Sequence, residues 1–258
     1  MSRIEKKFKE VLRRRGKAFI PYVMAGDPSL ERTREMVAML EECGADIIEL
    51  GVPFSDPLAD GPTIQGAAQR ALGEGVTLGK VLDLIGSLRQ STQIPIVLMT
   101  YYNLIFRYGE EKFVRDASLA GADGMIVPDL PPDEAGSLLS LSKDPGFDII
   151  FLVAPTSTNE RIKKVTRASR GFIYYVSITG ITGSKLSVDP SIGSHIVNIR
   201  QISGKPVAVG FGISTPHEAS EIARIADGVI VGSAIVKRVS DSNENLKDYL
   251  IALRKAIR

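Results

Sequence analysis

The chain has 258 residues, 44% hydrophobic and 24% charged, with a formal net charge of +2 and a single cysteine, Cys43. That length suits one (β/α)8 barrel with a full core, and the lone cysteine excludes an intrachain disulfide, which fits a reducing cytosol. No apolar stretch reaches the ~20 residues of a membrane span and the charged N-terminus lacks a secretion-signal core, so a cytoplasmic protein with no membrane or nucleic-acid partner is expected.

Near the N-terminus, Ile4, Phe8, Val11 and Leu12 fall at helical spacing, and Glu5 and Glu10 interleave with Lys6, Lys7, Lys9, Arg13, Arg14, Arg15 and Lys17. This reads as an extra N-terminal helix with a solvated, charged face. Eight apolar runs follow: Phe19–Ala25, Asp46–Gly51, Pro95–Thr100, Gly124–Pro128, Asp148–Ala154, Phe172–Ser177, Pro206–Gly210 and Gly228–Val231. Most are continuously apolar, as strands buried on both faces are. Helical stripes alternate with them, including Thr33, Met36, Val37 and Leu40, then Leu78, Val81, Leu82, Ile85 and Leu88. Asp27 as N-cap with Pro28 at N1 opens the first of these helices, and Gly44 ends it. A weak repeat marks three helix-to-strand turns, each placing an aspartate (Asp46, Asp123, Asp227) ahead of a buried run. Eight β–α units with no foreign block predict an α/β fold, a single (β/α)8 TIM barrel over residues 1–258 with the extra N-terminal helix. The alternative, a doubly wound open sheet, more often shows a Gly-rich turn after its first strand and fewer units.

In such a barrel the chemistry lies where strands end. Lys17, Lys205 and Pro206 precede strands and belong to the stabilising face. Glu49 sits inside the apolar run at residues 45–50, where a carboxylate is costly unless paired or neutralised. Alternation puts Ile47 and Glu49 on one face and Ile48 and Leu50 on the other. Facing inward near its strand's end, Glu49 lines the pocket floor, and no strand carries an interior cation to pair with it. Asp56 and Asp60 follow in a loop stiffened by Pro53, Pro57 and Pro62. Asp56-Pro57 fits a turn; Asp60 suits either catalysis or a helix cap.

Three glycine sites follow the last strands: Gly180 with Gly183, Gly210 with Gly212 around Phe211, and Gly232 with Ser233 at a helix start. Glycine admits backbone N–H groups close to an anion, and the helix N-terminus adds positive charge, so these sites point to phosphate. His195 and His217 show no metal-ligand spacing, no lysine lies in an apolar strand for a Schiff base, and no Gly-x-Gly-x-x-Gly opens the first helix. The residues therefore suit proton transfer on a phosphorylated metabolite, by isomerisation or by cofactor-free carbon–carbon cleavage.

Residues 49–65, Glu-Leu-Gly-Val-Pro-Phe-Ser-Asp-Pro-Leu-Ala-Asp-Gly-Pro-Thr-Ile-Gln, closely resemble the signature of the tryptophan synthase alpha subunit. The segments at 21–28, 101–103, 127–131, 180–183 and 210–214 resemble that family in the same order. The resemblance implies a lyase that splits indole-3-glycerol phosphate into indole and glyceraldehyde 3-phosphate in tryptophan biosynthesis. It implies Glu49 as the acid/base and Asp60 as the partner of the indole N–H. It places Tyr22, Tyr101, Tyr175 and Thr182 around the substrate, and Gly183, Phe211, Gly212, Gly232 and Ser233 at the phosphate. Position 22 is Phe in some members, so Tyr22 enters as a packing match whose hydroxyl has no assigned role. The segment 178–194 matches a lid. No cofactor or metal is implied on this chain. Pyridoxal phosphate is expected on a partner beta subunit in an alpha2beta2 heterotetramer, met through Pro53, Asp56 and Asp129 together with Pro131 and Pro132. A non-catalytic activator and a stand-alone indole-releasing lyase are the alternatives.

Overall fold

The computed structural model describes residues 1–143, 146–176, 190–210, 212–241 and 245–257. The chain runs α1 (Arg3–Arg13), β1 (Ala18–Met24), α2 (Leu30–Glu42), β2 (Ile48–Gly51), α3 (Pro62–Gly73), α4 (Leu78–Leu88), β3 (Ile96–Met99), α5 (Tyr102–Tyr108), α6 (Glu110–Ala120) and β4 (Gly124–Ile126). It continues through α7 (Gly136–Leu141), β5 (Asp148–Ile150), β6 (Leu152–Val153), α8 (Asn159–Ala168), β7 (Ile173–Val176), α9 (Pro190–Ser203), β8 (Val207–Gly210), α10 (Pro216–Ile225), β9 (Gly228–Val231), α11 (Ser233–Ser240) and α12 (Leu246–Ala256). The strand order is β5-β4-β3-β2-β1-β9-β8-β7-β6, and every pairing is parallel. Since β5 and β6 are successive pieces of one run, the ring closes through the chain itself, and the architecture is the expected TIM barrel. The break falls at Phe151, whose N–H turns aside to Ser169 Oγ at 3.1 Å. Among the described residues no helix is long and apolar enough to cross a membrane.

Alternation along the strands sorts the core into two layers. Ala18, Ile20, Ile47, Val97, Ile126, Ile150, Tyr174, Ala208 and Ile230 fill the barrel, and Ile4 and Phe8 of α1 pack into its lower end. Phe8 meets Phe172 with ring centroids 5.4 Å apart. The apolar side of the N-terminal helix is thus a plug, while its charged side faces outward. The outer layer joins strands to helices and includes the stripes Met36, Val37, Leu40 and Val81, Leu82, Ile85.

The repeated aspartates have a shared task at the lower face. Asp46, Asp123 and Asp227 each accept a backbone N–H from a strand start, from Phe19, Ile96 and Val207 respectively, each at 2.9 Å. Each also meets an arginine: Arg254, Arg89 and Arg200. One carboxylate therefore ties each of these turns to a strand and a helix.

The start of α2 departs from expectation. Ser29 is its N-cap, accepting from Arg32 N at 3.0 Å. Asp27 is instead drawn inward by Arg70 of α3, which donates to both its oxygens at 2.7 and 2.8 Å; a paired, buried charge outcompetes a solvent-exposed cap.

Candidate active site

Glu49 pairs in register with Tyr22 of β1 and Val97 of β3. Ile47, two residues earlier, lies in the barrel interior, and Ile48 and Leu50 lie in the outer layer; Glu49 therefore points into the barrel mouth. It is 1% exposed, and neither carboxylate oxygen has a hydrogen-bond partner among the described residues. Burial, and after it the charge of Asp60, pushes its pKa up to about 8. A buried carboxylate without donors holds its proton at neutral pH.

The loop after β2 presents Asp60. Val52 N–H ties the loop's start to the Met99 carbonyl at 2.8 Å, and the Asp60 N–H turns back to the Pro57 carbonyl at 3.1 Å. The helix that follows has Gly61 as N-cap with no side-chain cap bond, so the Asp60 side chain is not spent on capping. It takes a hydrogen bond from the Tyr101 hydroxyl, which in turn accepts the Ala59 N–H at 3.0 Å. Burial pushes Asp60 up to about 6 against the opposing effect of that donor. Tyr101, directly after β3 and 5% exposed, has its own pKa raised by burial first and by the Asp60 charge second.

Two inward tyrosines lie beside this pair. Tyr22 leans from β1 across to β2, so that a Cβ on Gly51 would sit 2.0 Å from its hydroxyl. Tyr174 leans in the same way over Gly210, and a Cβ there would sit 2.4 Å from its hydroxyl. Glycine at 51 and 210 makes room for both phenols. Tyr175, expected in the substrate pocket, faces the opposite way: it is fully buried in the outer layer and its hydroxyl meets His195 Nδ1 of α9 at 3.0 Å. Tyr174 is the residue of β7 that faces inward, opposite Ala208 of the interior. Sequence reasoning passed over it, although the small residues at 208 and 210 mark the side on which a tyrosine fits.

Of the expected phosphate residues, Gly212 follows β8 with φ +78°, and Gly232 and Ser233 open α11. The Ile235 and Val236 N–H groups turn back to the Gly232 carbonyl at 2.8 and 3.1 Å, which leaves those of Ser233 and Ala234 outside the helix's own bonding. Thr182, Gly183 and Phe211 lie outside the described residues, as does most of the segment 178–194; its residues 190–194 begin α9. In ring order, β8, β9, β1, β2 and β3 are neighbours. Gly212, Gly232, Tyr22, Glu49 and Tyr101 thus follow one another around the mouth, two glycines and a helix start at one end and two carboxylates at the other. Among the described residues no group of His, Cys, Asp or Glu is placed to hold a metal.

Residues 8–257 match the family model described as tryptophan synthase alpha chain. This chain belongs to the tryptophan synthase alpha chain family. The alpha chain of Geobacter sulfurreducens is 49% identical over 262 residues, covering 100% of this chain and 99% of its own. That of Geotalea daltonii is 49% identical and is covered over 98% of its length. Among solved structures, a chain from Aquifex aeolicus VF5 superposes with a TM-score of 0.93 at 43% identity, with both chains fully covered. Tryptophan synthase from M. tuberculosis in its aminoacrylate-bound form gives 0.91 at 37%, again with full coverage of both.

In this alpha chain fold the residues expected at a partner surface are differently placed. Pro53 is buried, and Asp56 is exposed and bonded to its neighbour Ser55. Asp129 is exposed and caps α5, accepting the Tyr102 N–H at 3.0 and 3.2 Å. Asp56 and Asp129 line an open cleft of about 570 Å³ with Phe54, Leu58, Tyr101 and Arg107, and Leu58 stands 96% exposed at its edge.

Proposed function

We propose that this chain cleaves indole-3-glycerol phosphate with Glu49 as the proton shuttle and Asp60 as the counter-charge to the indole nitrogen. The observation that carries this reading is the placement of the two carboxyls: Glu49 sealed at the barrel mouth with neither oxygen bonded among the described residues, and Asp60 held by the Tyr101 hydroxyl, so that burial pushes them up to about 8 and about 6. At neutral pH one is an acid and the other an anion. Neighbouring titratable groups pushed apart in this way mark an acid/base assignment.

The reaction follows from those states. Protonated Glu49 delivers its proton to C3 of the indole ring, and the ring becomes a cationic indolenine. The Asp60 carboxylate, held by Tyr101, faces the N–H on which that charge develops. Glu49, now a carboxylate, takes the proton from the hydroxyl on the carbon attached to C3. The C–C bond breaks, its electron pair restores the aromatic ring, and the oxygen becomes the aldehyde of glyceraldehyde 3-phosphate. The proton returns to Glu49, and the ring itself is the electron sink, so the chemistry calls for no cofactor on this chain. Gly212, Gly232 and Ser233 anchor the phosphate, with Gly183 and Phe211 expected beside them. Tyr22, Tyr101 and Tyr174 wall the indole end, and Thr182 of the 178–194 lid is expected over it. Pyridoxal phosphate then belongs to a beta subunit in an alpha2beta2 assembly, met through the exposed Asp56 and Asp129 rather than the buried Pro53.

Turnover of indole-3-glycerol phosphate, measured with and without a beta subunit, tests the reading. Glu49→Gln should remove cleavage in both conditions. Near-normal cleavage by that variant would show the assignment to be wrong.

A further inference from the structure

Among the described residues the Tyr22 hydroxyl is a donor without a good acceptor. It is buried with its residue, and its acceptor in the structure is the Met24 sulfur at 4.0 Å, a weak one. On the adjacent strand, in direct register, stands Glu49, an acceptor without a donor among the described residues. Both side chains face the barrel mouth, and the Tyr22 ring crosses to β2 with its hydroxyl above Gly51, two residues beyond Glu49 on the same face. The groups that act on this phenol from the surrounding elements are Asp60 of the β2 loop, Glu49, Tyr101 after β3 and Asp27 after β1. Tyr174 of β7 is a second phenol near Glu49, acted on, after burial, by the charge of Glu49 and then by Tyr22 and Asp60. All are carboxylates or phenols, and Asp60 already has the Tyr101 hydroxyl as donor.

We infer that Tyr22 is a positioning residue for the acid/base: its hydroxyl swings from Met24 to donate to Glu49 whenever Glu49 is a carboxylate. This rests on the proposal that Glu49 moves the protons. During turnover Glu49 is an anion between giving its proton to C3 and regaining one from the hydroxyl. A buried carboxylate without a donor is strongly disfavoured, so the phenol on the strand neighbour in register with Glu49 sets how readily the proton leaves.

Tyr22→Phe removes one oxygen and keeps the ring that packs on Gly51. Loss of a donor to a charged acceptor should lower kcat about tenfold. It should also raise the pH at which activity falls as Glu49 ionises, by about one unit, because the carboxylate has lost its support. KM and the melting temperature should stay near wild type. A variant with wild-type kcat and an unmoved alkaline limb overturns the inference. So does a change confined to KM or melting temperature, which would mark a packing role. Glu49→Gln is measured alongside. Retained cleavage there would overturn the Glu49 assignment itself, whereas an inactive Glu49→Gln beside an unaffected Tyr22→Phe removes only the role of Tyr22.

Discussion

The negative charge of Asp60 reinforces burial in raising the proton affinity of Glu49 to about 8. Burial and the Asp60 charge together favour a neutral Glu49, while the Tyr101 hydroxyl favours the charged form of Asp60. The proposed mechanism needs protonated Glu49 and ionised Asp60 together. A plot of kcat/KM against pH should be bell-shaped, falling below about 6 and above about 8. Asp60→Asn removes the charge that helps hold the proton on Glu49, so its alkaline limb should move to lower pH while kcat falls more than KM rises. An alkaline limb that stays in place in Asp60→Asn would show that the two groups do not interact.

Glu49 is legible in the sequence because a carboxylate inside an apolar run is costly in any fold, and alternation from Ile47 fixes its face. The strand Phe172–Ser177 offers no such clue. It is apolar on both sides, so nothing in it sets the phase, and Tyr174 and Tyr175 are told apart only by their partners Ala208 and Val209 on the next strand. Asp27-Pro28 has the look of a helix start, yet Arg70, 43 residues later, claims the aspartate. The break at Phe151 likewise depends on Ser169, 18 residues away. The barrel was legible from its alternating pattern; the residues misplaced were those whose position depends on a distant partner.

Glu49 should lower the stability of the fold at working pH. Its folded pKa of about 8 lies above the ordinary 4.5, so the folded state binds the proton more tightly than the unfolded chain. No cost exists below the ordinary value, and the cost grows as pH rises toward 8. Glu49→Gln should gain roughly 1–3 kcal/mol at neutral pH, with the difference from wild type shrinking as pH is lowered to 4.5. Denaturant titrations of both proteins across that range check this; a Glu49→Gln that is less stable at neutral pH contradicts it.

The lower face should behave independently of the chemistry. Asp123 accepts the Ile96 N–H and pairs with Arg89 and Arg3, and Arg89 is itself mostly buried. Asp123→Ala should cost about 3–5 kcal/mol, the usual penalty for orphaning one member of a buried pair. The pH dependence of the remaining active enzyme should not move. Thermal unfolding and a pH–rate profile of the same preparation test both halves.

Gly51→Ala should act through Tyr22. The added Cβ would lie 2.0 Å from the hydroxyl and 2.6 Å from the ring carbon that bears it, so the ring must leave its place over β2. An increase in KM of about tenfold or more is expected, with the melting temperature lowered modestly. If steady-state kinetics of Gly51→Ala match wild type, the Tyr22 ring does not wall the substrate pocket.

Cleavage by this route requires Glu49 to hold its proton at neutral pH, and a carbon-13 NMR titration of its side-chain carboxyl, assigned by the signal lost in Glu49→Gln, tests this most directly. Expected is a midpoint near 8 in the wild-type protein, shifted downward in Asp60→Asn. A midpoint near the ordinary 4.5 would mean that Glu49 is already a carboxylate at neutral pH and does not supply the proton to C3.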